Sequence, residues 1–253
     1  MNKRKKQVLD LLQRHGELSN QELSDLLDIS PSSIRRILIA LDKDRLIKRT
    51  RGGVCLSTAV NYDLLPTHKL PVDPVEARSI ANRAVQLIQP GDVIALSGGV
   101  LCTQLVLRVR YLEGITVVTN AVNVAIELVS LPEIQVRLTG GRLNPGSFEL
   151  VGRALAPSLS GLHIDKFFLG TDGLSVQHGV TGRDEDEATA SRVIMERSDA
   201  TIVLADSSKF KKASYARVAS ISKVDTIVTT DRVSQSVGTQ FKEAGVKIIV
   251  AGS

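Results

Sequence analysis

Apolar residues near the amino terminus recur at helical spacing and stop at polar punctuation. Val8, Leu9 and Leu12 mark one face of a helix over 3–15. Ser19, followed three residues on by Glu22, is a capping box: the hydroxyl takes an orphan backbone N–H and the carboxylate reaches back to the cap. It opens a second helix, 19–28, with Leu23, Leu26 and Leu27 expected on the inward face. Ser30-Pro31 then supplies an N-cap and a proline at the first helical position of a third helix, 30–44. There Ile34, Ile37, Leu38 and Leu41 form an inward stripe, which leaves Ser32, Arg35 and Arg36 outside. Strand-like runs at 46–49 and 54–56 flank Thr50-Arg51-Gly52-Gly53, a hairpin signal. Three helices and a hairpin predict a winged helix. A tight turn before a helix with an outward Ser/Arg face suits entry into a DNA major groove.

The pattern then changes. Residues 58–73 show no periodicity and hold Pro66 and Pro71, which reads as a linker. Asp73-Pro74-Val75-Glu76 repeats the sequence of cap, proline and acidic third position, and opens a helix to Ile88. Apolar, β-branched runs follow at 93–96, 115–118, 135–138, 167–169, 201–204, 226–228 and 247–250. Helical segments near 101–112, 121–130, 186–198 and 233–244 separate most of them. Such alternation predicts an α/β domain, a mostly parallel sheet with helices on both faces.

Charge divides the same way. Residues 1–57 hold 12 Lys/Arg against 7 Asp/Glu, whereas residues 58–253 hold 20 of each. All the excess positive charge therefore lies beside the helix pair, where it would meet phosphates, with Arg49 and Arg51 placed at the wing. The 253 residues suit two domains. Cys55 and Cys102 give neither a disulfide framework nor zinc spacing, which fits a reducing cytoplasm. No apolar run approaches the roughly 18–20 residues that span a bilayer, so no membrane partner is expected. The basic amino terminus is interrupted by Asp10, Gln13 and Arg14 and reads as a helix rather than a signal peptide.

In open α/β sheets, ligands sit beyond the carboxyl ends of the strands. Small and polar residues stand at those ends: Ser97-Gly98-Gly99, Thr119-Asn120, Gly140-Gly141, Gly170-Thr171-Asp172-Gly173 and Asp206-Ser207-Ser208-Lys209. Glycines and helix N-termini admit anions, the helix near Thr103 among them. Lys209 offers a point charge, and Asp172, Asn120 and Glu187 offer bonds to sugar hydroxyls. Neither a Walker A pattern nor Gly-x-Gly-x-x-Gly occurs, so a nucleotide site is not supported.

Together these pieces resemble the DeoR-type bacterial regulators of sugar metabolism over nearly the whole chain. The likeness rests on Ser30-Pro31-Ser32-Ser33-Ile34-Arg35-Arg36, Arg49, Gly52-Gly53, Pro90-Gly91-Asp92, Val118-Thr119-Asn120, Gly140-Gly141, Phe168-Leu169-Gly170, Asp172-Gly173, Gly179-Val180-Thr181 and Ala205-Asp206-Ser207-Ser208-Lys209-Phe210. It implies a winged helix-turn-helix over 1–57, a linker over 58–73, and a sensor over 74–253 that looks like a ribose-5-phosphate isomerase scaffold. It further implies repression of a carbohydrate operon through double-stranded operator DNA, a homo-oligomer (dimer or tetramer), no cofactor, and a small phosphorylated sugar as effector. The DNA-contacting residues so implied are Ser30, Ser32, Ser33, Arg35, Arg36, Arg49 and Arg51. The effector residues are Ser97, Gly98, Gly99, Thr103, Thr119, Asn120, Gly140, Gly141, Asp172, Gly173, Glu187 and Lys209.

Two positions depart from the family pattern. Ile37 stands where an aspartate usually follows the paired arginines, and Val100-Leu101-Cys102 replaces a threonine-rich run, leaving Thr103 as the hydroxyl at the helix start. Two rival readings stay open: an isomerase-like enzyme with Glu187 as base, and a regulator whose sensor binds nothing. Plainer roles are expected elsewhere. Cys102 and Met195 belong to the core, His163 and His178 are structural, and the acidic run 184–187 serves a helix N-terminus.

Overall fold

The computed structural model describes residues 3–43, 46–50, 52–56, 72–110, 112–129 and 131–252. Arg51 and most of the expected linker therefore lie outside the described residues. The chain forms two compact units, Met1–Ala59 and Val60–Ser253.

The first unit runs α1 (Lys3–His15), β1 (Glu17–Leu18), α2 (Asn20–Leu27), α3 (Pro31–Lys43), β2 (Ile47–Arg49) and β3 (Val54–Leu56). The capping box is complete: Glu22 N–H donates to Ser19 Oγ at 3.1 Å, and Ser19 N–H to Glu22 Oε2 at 2.8 Å. Val8, Leu9, Leu12, Leu23, Ile34, Leu38 and Leu41 are buried and make the core. Leu26, expected inside, is 52% exposed. Its helix is only two turns long, and at 100° per residue the inward arc runs from buried Leu23 through half-buried Leu27 to buried Ser24 and leaves Leu26 beyond it. Ile37 is only half-buried, at the edge of its stripe. The wing is three-stranded, because β1 joins the predicted hairpin in the order β1-β3-β2.

The second unit opens with α4 (Pro74–Val85), capped by Asp73, whose carboxylate accepts Val75 N–H at 2.8 Å. Then come β4 (Val93–Leu96), α5 (Val100–Val109), β5 (Ile115–Thr119), α6 (Val122–Leu128), β6 (Ile134–Leu138), β7 (Arg142–Asn144), β8 (Glu149–Val151) and α7 (Leu155–Ser158). The chain finishes through β9 (Ile164–Gly170), β10 (Gly173–Ser175), β11 (Gly179–Gly182), α8 (Glu185–Met195), β12 (Ser198–Leu204), β13 (Ala216–Ala219), β14 (Thr226–Thr230), α9 (Gln235–Glu243) and β15 (Lys247–Ala251).

All seven predicted apolar runs enter one parallel sheet, in the order β15-β14-β12-β9-β4-β5-β6. Alternate residues face opposite cores. Ala95, Phe167, Leu169 and Val203 point to one, with Ile194 of α8 and Phe241 of α9. Ile94, Leu96, Phe168 and Leu204 point to the other, with Ile80 of α4 and Leu105 of α5. Residues buried on both faces leave no polar alternation, which is why these strands read as continuous apolar runs. From β4 the chain winds outward through β5 and β6, and from β9 it winds the other way through β12, β14 and β15. The order reverses between β4 and β9, and there the crevice of an open α/β sheet lies.

Candidate DNA-binding face and effector cavity

On α3, Arg35 and Arg36 are exposed, opposite buried Ile34, Leu38 and Leu41. Ser30 caps the helix, accepting Ser33 N–H at 3.4 Å, and its hydroxyl lies 3.1 Å from Ser32 Oγ and 3.0 Å from Ser33 Oγ. The helix start thus presents three hydroxyls, with the two arginines one turn further on. Arg49 on β2 is half-exposed and donates through Nε to Asp42 Oδ2 at 3.2 Å. An exposed pair of this kind is worth at most about 1 kcal/mol, so Asp42 positions Arg49 without holding it from another anion.

In the second unit a cavity opens at the β4–β9 reversal. Ser97, Gly98, Gly99, Asp172, Glu187 and Lys209 line it, together with Val72, Val100, Leu101, Ser147, Glu149, Thr181 and Asp206. The loop after β4 needs its glycines. Gly99 has φ of 89°, and a Cβ on Gly98 would stand 2.3 Å from Glu149 Oε1. Gly99 is also the N-cap of α5, with no side chain to satisfy the first N–H groups, and Val100 and Leu101 of that first turn line the cavity. Their amides and the positive end of the helix offer an anion site. Lys209 faces the same cavity, its side chain 13% exposed, with Nζ 3.8 Å from Asp206 Oδ2.

The remaining expected residues lie behind this wall. Thr119 is fully buried, its hydroxyl donating to Leu96 O at 2.7 Å and accepting Ala121 N–H at 3.0 Å. Asn120 is also fully buried and donates to Glu149 Oε2 at 3.0 Å. Thr103 sits inside α5, its hydroxyl accepting from Asn123 Nδ2 at 3.0 Å. Gly140 N–H is bonded to Ser158 Oγ, and Gly141 packs against the β8 backbone. Gly173 is buried where β10 meets β11, and a Cβ there would meet Thr181 Oγ1 at 2.7 Å.

Glu149 is the group that sequence reasoning missed. It is buried on β8, accepts Gly98 N–H at 2.8 Å through Oε1, and holds Asn120 through Oε2. Desolvation, then the nearby charge of Glu187, pushes its carboxyl up to about 7. Glu187, held by Asn144 Nδ2 at 2.8 Å, is also raised, first by desolvation. Asp172 is held by Arg183, through N–H at 3.2 Å and Nε at 3.5 Å. Cys102 is fully buried with its thiol pushed up to about 12 by desolvation, which makes it a packing residue rather than a nucleophile.

Glu76, whose acidic position was read only as a helix-start signal, has partners far along the chain. Its buried carboxylate accepts Ser207 N–H at 2.8 Å, Ser207 Oγ at 3.2 Å and Thr230 Oγ1 at 2.5 Å. The first turn of α4 is thereby tied to the segment that carries Lys209.

A basic winged helix joined to a parallel-sheet unit with a cavity at its strand ends is the architecture of a DNA-binding regulator. Comparison with known proteins gives the family. The family model described as DeoR C terminal sensor domain matches residues 73–231, and that described as DeoR-like helix-turn-helix domain matches residues 4–60. The HTH-type transcriptional regulator GlpR of Haloferax volcanii is 30% identical over 97% of this chain and 96% of its own. The HTH-type transcriptional repressor GlcR of Bacillus subtilis is 29% identical over 96% of this chain and 93% of its own. A regulator named for the aga operon of Escherichia coli O157:H7 is 30% identical over 98% of this chain and 93% of its own. The chain belongs to the DeoR family and is a DNA-binding transcriptional regulator, not an enzyme. Among the described residues no helix is long and apolar enough to cross a membrane.

Proposed function

We propose that this regulator is a cytoplasmic repressor of a carbohydrate-metabolism operon, and that a small phosphorylated sugar in the β4–β9 cavity controls it. The observation that carries the effector reading is the uncapped first turn of α5 opening, with Lys209, into a cavity whose polar lining includes Ser97, Asp172, Thr181, Glu187 and Asp206, beside apolar Leu101, Leu169 and Val218. The phosphate lies against α5 and Lys209, and the sugar hydroxyls lie against Asp172, Glu187 and Asp206. Ser32, Ser33, Arg35 and Arg36 enter the major groove, while Arg49 and Arg51 of the wing meet the sugar-phosphate backbone. Two such helices are needed for a palindromic operator, so the protein acts as a homo-oligomer.

The sensor reports through its own entry point. Residues 58–73 connect the two functions, and Val72 at the end of that stretch lines the cavity. One turn later Glu76 grips Ser207, two residues before Lys209. An effector that shifts the Lys209 segment therefore acts directly on the start of α4. Such a shift changes operator affinity only as far as the effector prefers one arrangement over the other. A gel shift on the native upstream DNA tests the reading: fructose 1-phosphate, glucose 6-phosphate, ribose 5-phosphate or a related sugar phosphate should weaken the complex. A complex indifferent to every sugar phosphate tried would remove the effector from the account.

A further inference from the structure

The outward face of α3 carries one side chain that phosphates do not call for. At about 100° per residue, Ser32, Arg35, Arg36, Ile39 and Lys43 share one arc, turned away from buried Ile34, Leu38 and Leu41. Ile39 lies inside that arc, one turn beyond Arg35 and Arg36, and is 53% exposed. Its four neighbours on the arc are exposed as well. Asp42, at the edge of the arc, is taken up by Arg49 Nε at 3.2 Å. A single exposed apolar residue is ordinary on a protein surface, and Leu26 on α2 is one. Ile39 differs in its surroundings, because Arg35, Arg36 and Lys43 flank it on a face that otherwise holds only a hydroxyl.

We propose that Ile39 reads sequence: its side chain meets the C5-methyl group of thymine in the major groove and sets a preference that the arginines do not. The proposal rests on the reading of α3 as the groove-entering helix and names a feature of the operator. The charge around Ile39 decides between occupants. A protein covering Ile39 would have to bring anions for the three cations beside it. Duplex DNA brings phosphates along both walls of the groove, and the one apolar group on the floor between them is the methyl of thymine. The spacing agrees. Ile39 stands about 6 Å along the helix axis from Arg35 and about 4.5 Å from Arg36. With base pairs stacked at about 3.4 Å, it falls within one or two steps of the bases that the arginines face. Isoleucine is also stiff in a helix, with one strongly preferred χ1 rotamer, so ordering it against a base costs little entropy.

Deoxyuridine in place of thymine tests this, since the change deletes the methyl group and keeps the base-pairing edge. Binding of the full-length protein to its native upstream DNA is followed by fluorescence anisotropy, with each thymine of the footprint replaced in turn. For the wild-type protein at least one replacement should weaken binding about fourfold, the worth of one buried methyl group. I39A should bind that thymine duplex and its deoxyuridine counterpart alike. The side chain is exposed and alanine favours a helix, so I39A keeps its fold. Wild-type protein indifferent to every replacement overturns the proposal while leaving α3 in the groove. A methyl effect of the same size in I39A assigns it to another side chain and overturns the proposal as well. So does a smaller sedimenting species for free I39A than for wild type, which would make Ile39 a contact between copies. Failure of the wild-type protein to bind the upstream DNA overturns both this proposal and the reading of α3 on which it rests.

Discussion

The candidate DNA-binding face and the candidate effector cavity use charge in opposite ways. Arg35 and Arg36 stand in solvent on a helix whose other side is core, so their charge costs almost nothing to maintain and is available to a polyanion. The cavity hides Glu149 and half-buries Glu187, so their charge is costly until something compensates it. The first surface is suited to long-range, salt-sensitive attraction. In the proposed function the second converts a small ligand's charge into a conformational preference, because a desolvated group answers strongly to a neighbour. An exposed output and a buried input are what a regulator of this kind needs.

The largest expected effect tests the exposed side. Replacing both Arg35 and Arg36 by Ala should cost on the order of 2–6 kcal/mol of operator binding, at about 1–3 kcal/mol for each base contact. Melting temperature should be unchanged, since both side chains are exposed. A gel shift that shows undiminished affinity would remove α3 from the groove.

The buried side is tested through pH. An ordinary glutamate ionises near 4.5, whereas Glu149 in the folded protein is raised to about 7. Below the lower value both states hold the proton, and between the two values only the unfolded chain gives it up. This group therefore makes the sensor less stable as pH rises from about 4.5 to 7, by on the order of 3 kcal/mol, with no further change above. E149Q cannot ionise, so in urea unfolding at pH 5 and pH 8 it should lack this part of the loss. An identical pH dependence in both proteins would mean that Glu149 is not held against its charge.

The connection between the two sides is tested at Glu76. E76Q should still bind operator DNA and sugar phosphate, but the effector should lose about tenfold of its influence on operator affinity, roughly 1.4 kcal/mol of coupling. Unchanged coupling in a folded E76Q protein would show that the signal leaves by another path. The smallest effect belongs to the capping box, where S19A should lower the stability of the first unit by about 0.5–2 kcal/mol without altering effector binding.

Where the signal in the chain was local, it was legible. Ser19/Glu22 and Ser30-Pro31 announce helix starts through bonds made within three residues, and the seven apolar runs announce a doubly covered sheet. The strands β7, β8, β10, β11 and β13 were not legible, since each is three or four residues long and lacks a sustained apolar pattern. Glu149 was hidden for a different reason. Within Ser147-Phe148-Glu149-Leu150-Val151 it reads as an ordinary polar position, and its importance comes from a bond to Gly98, 51 residues away. Glu76 shows the same limit: its place in the helix start was visible, but its partner Ser207 is 131 residues distant. Loops such as Ser97-Gly98-Gly99 could be assigned to the sheet edge from sequence. Which of them open into the crevice depended on the strand order, and that placed Thr119 and Asn120 behind the wall.

The most direct measurement compares operator binding by the wild-type protein and K209A, by fluorescence anisotropy on labelled upstream DNA. A sugar phosphate that binds the protein is then titrated into each complex. Both proteins should bind the DNA alike. The sugar phosphate should raise the wild-type Kd by about tenfold or more and leave that of K209A nearly unmoved, since a phosphate contact of this kind is worth about 1.5–3 kcal/mol. An equal response from both proteins would place the effector elsewhere and contradict the account.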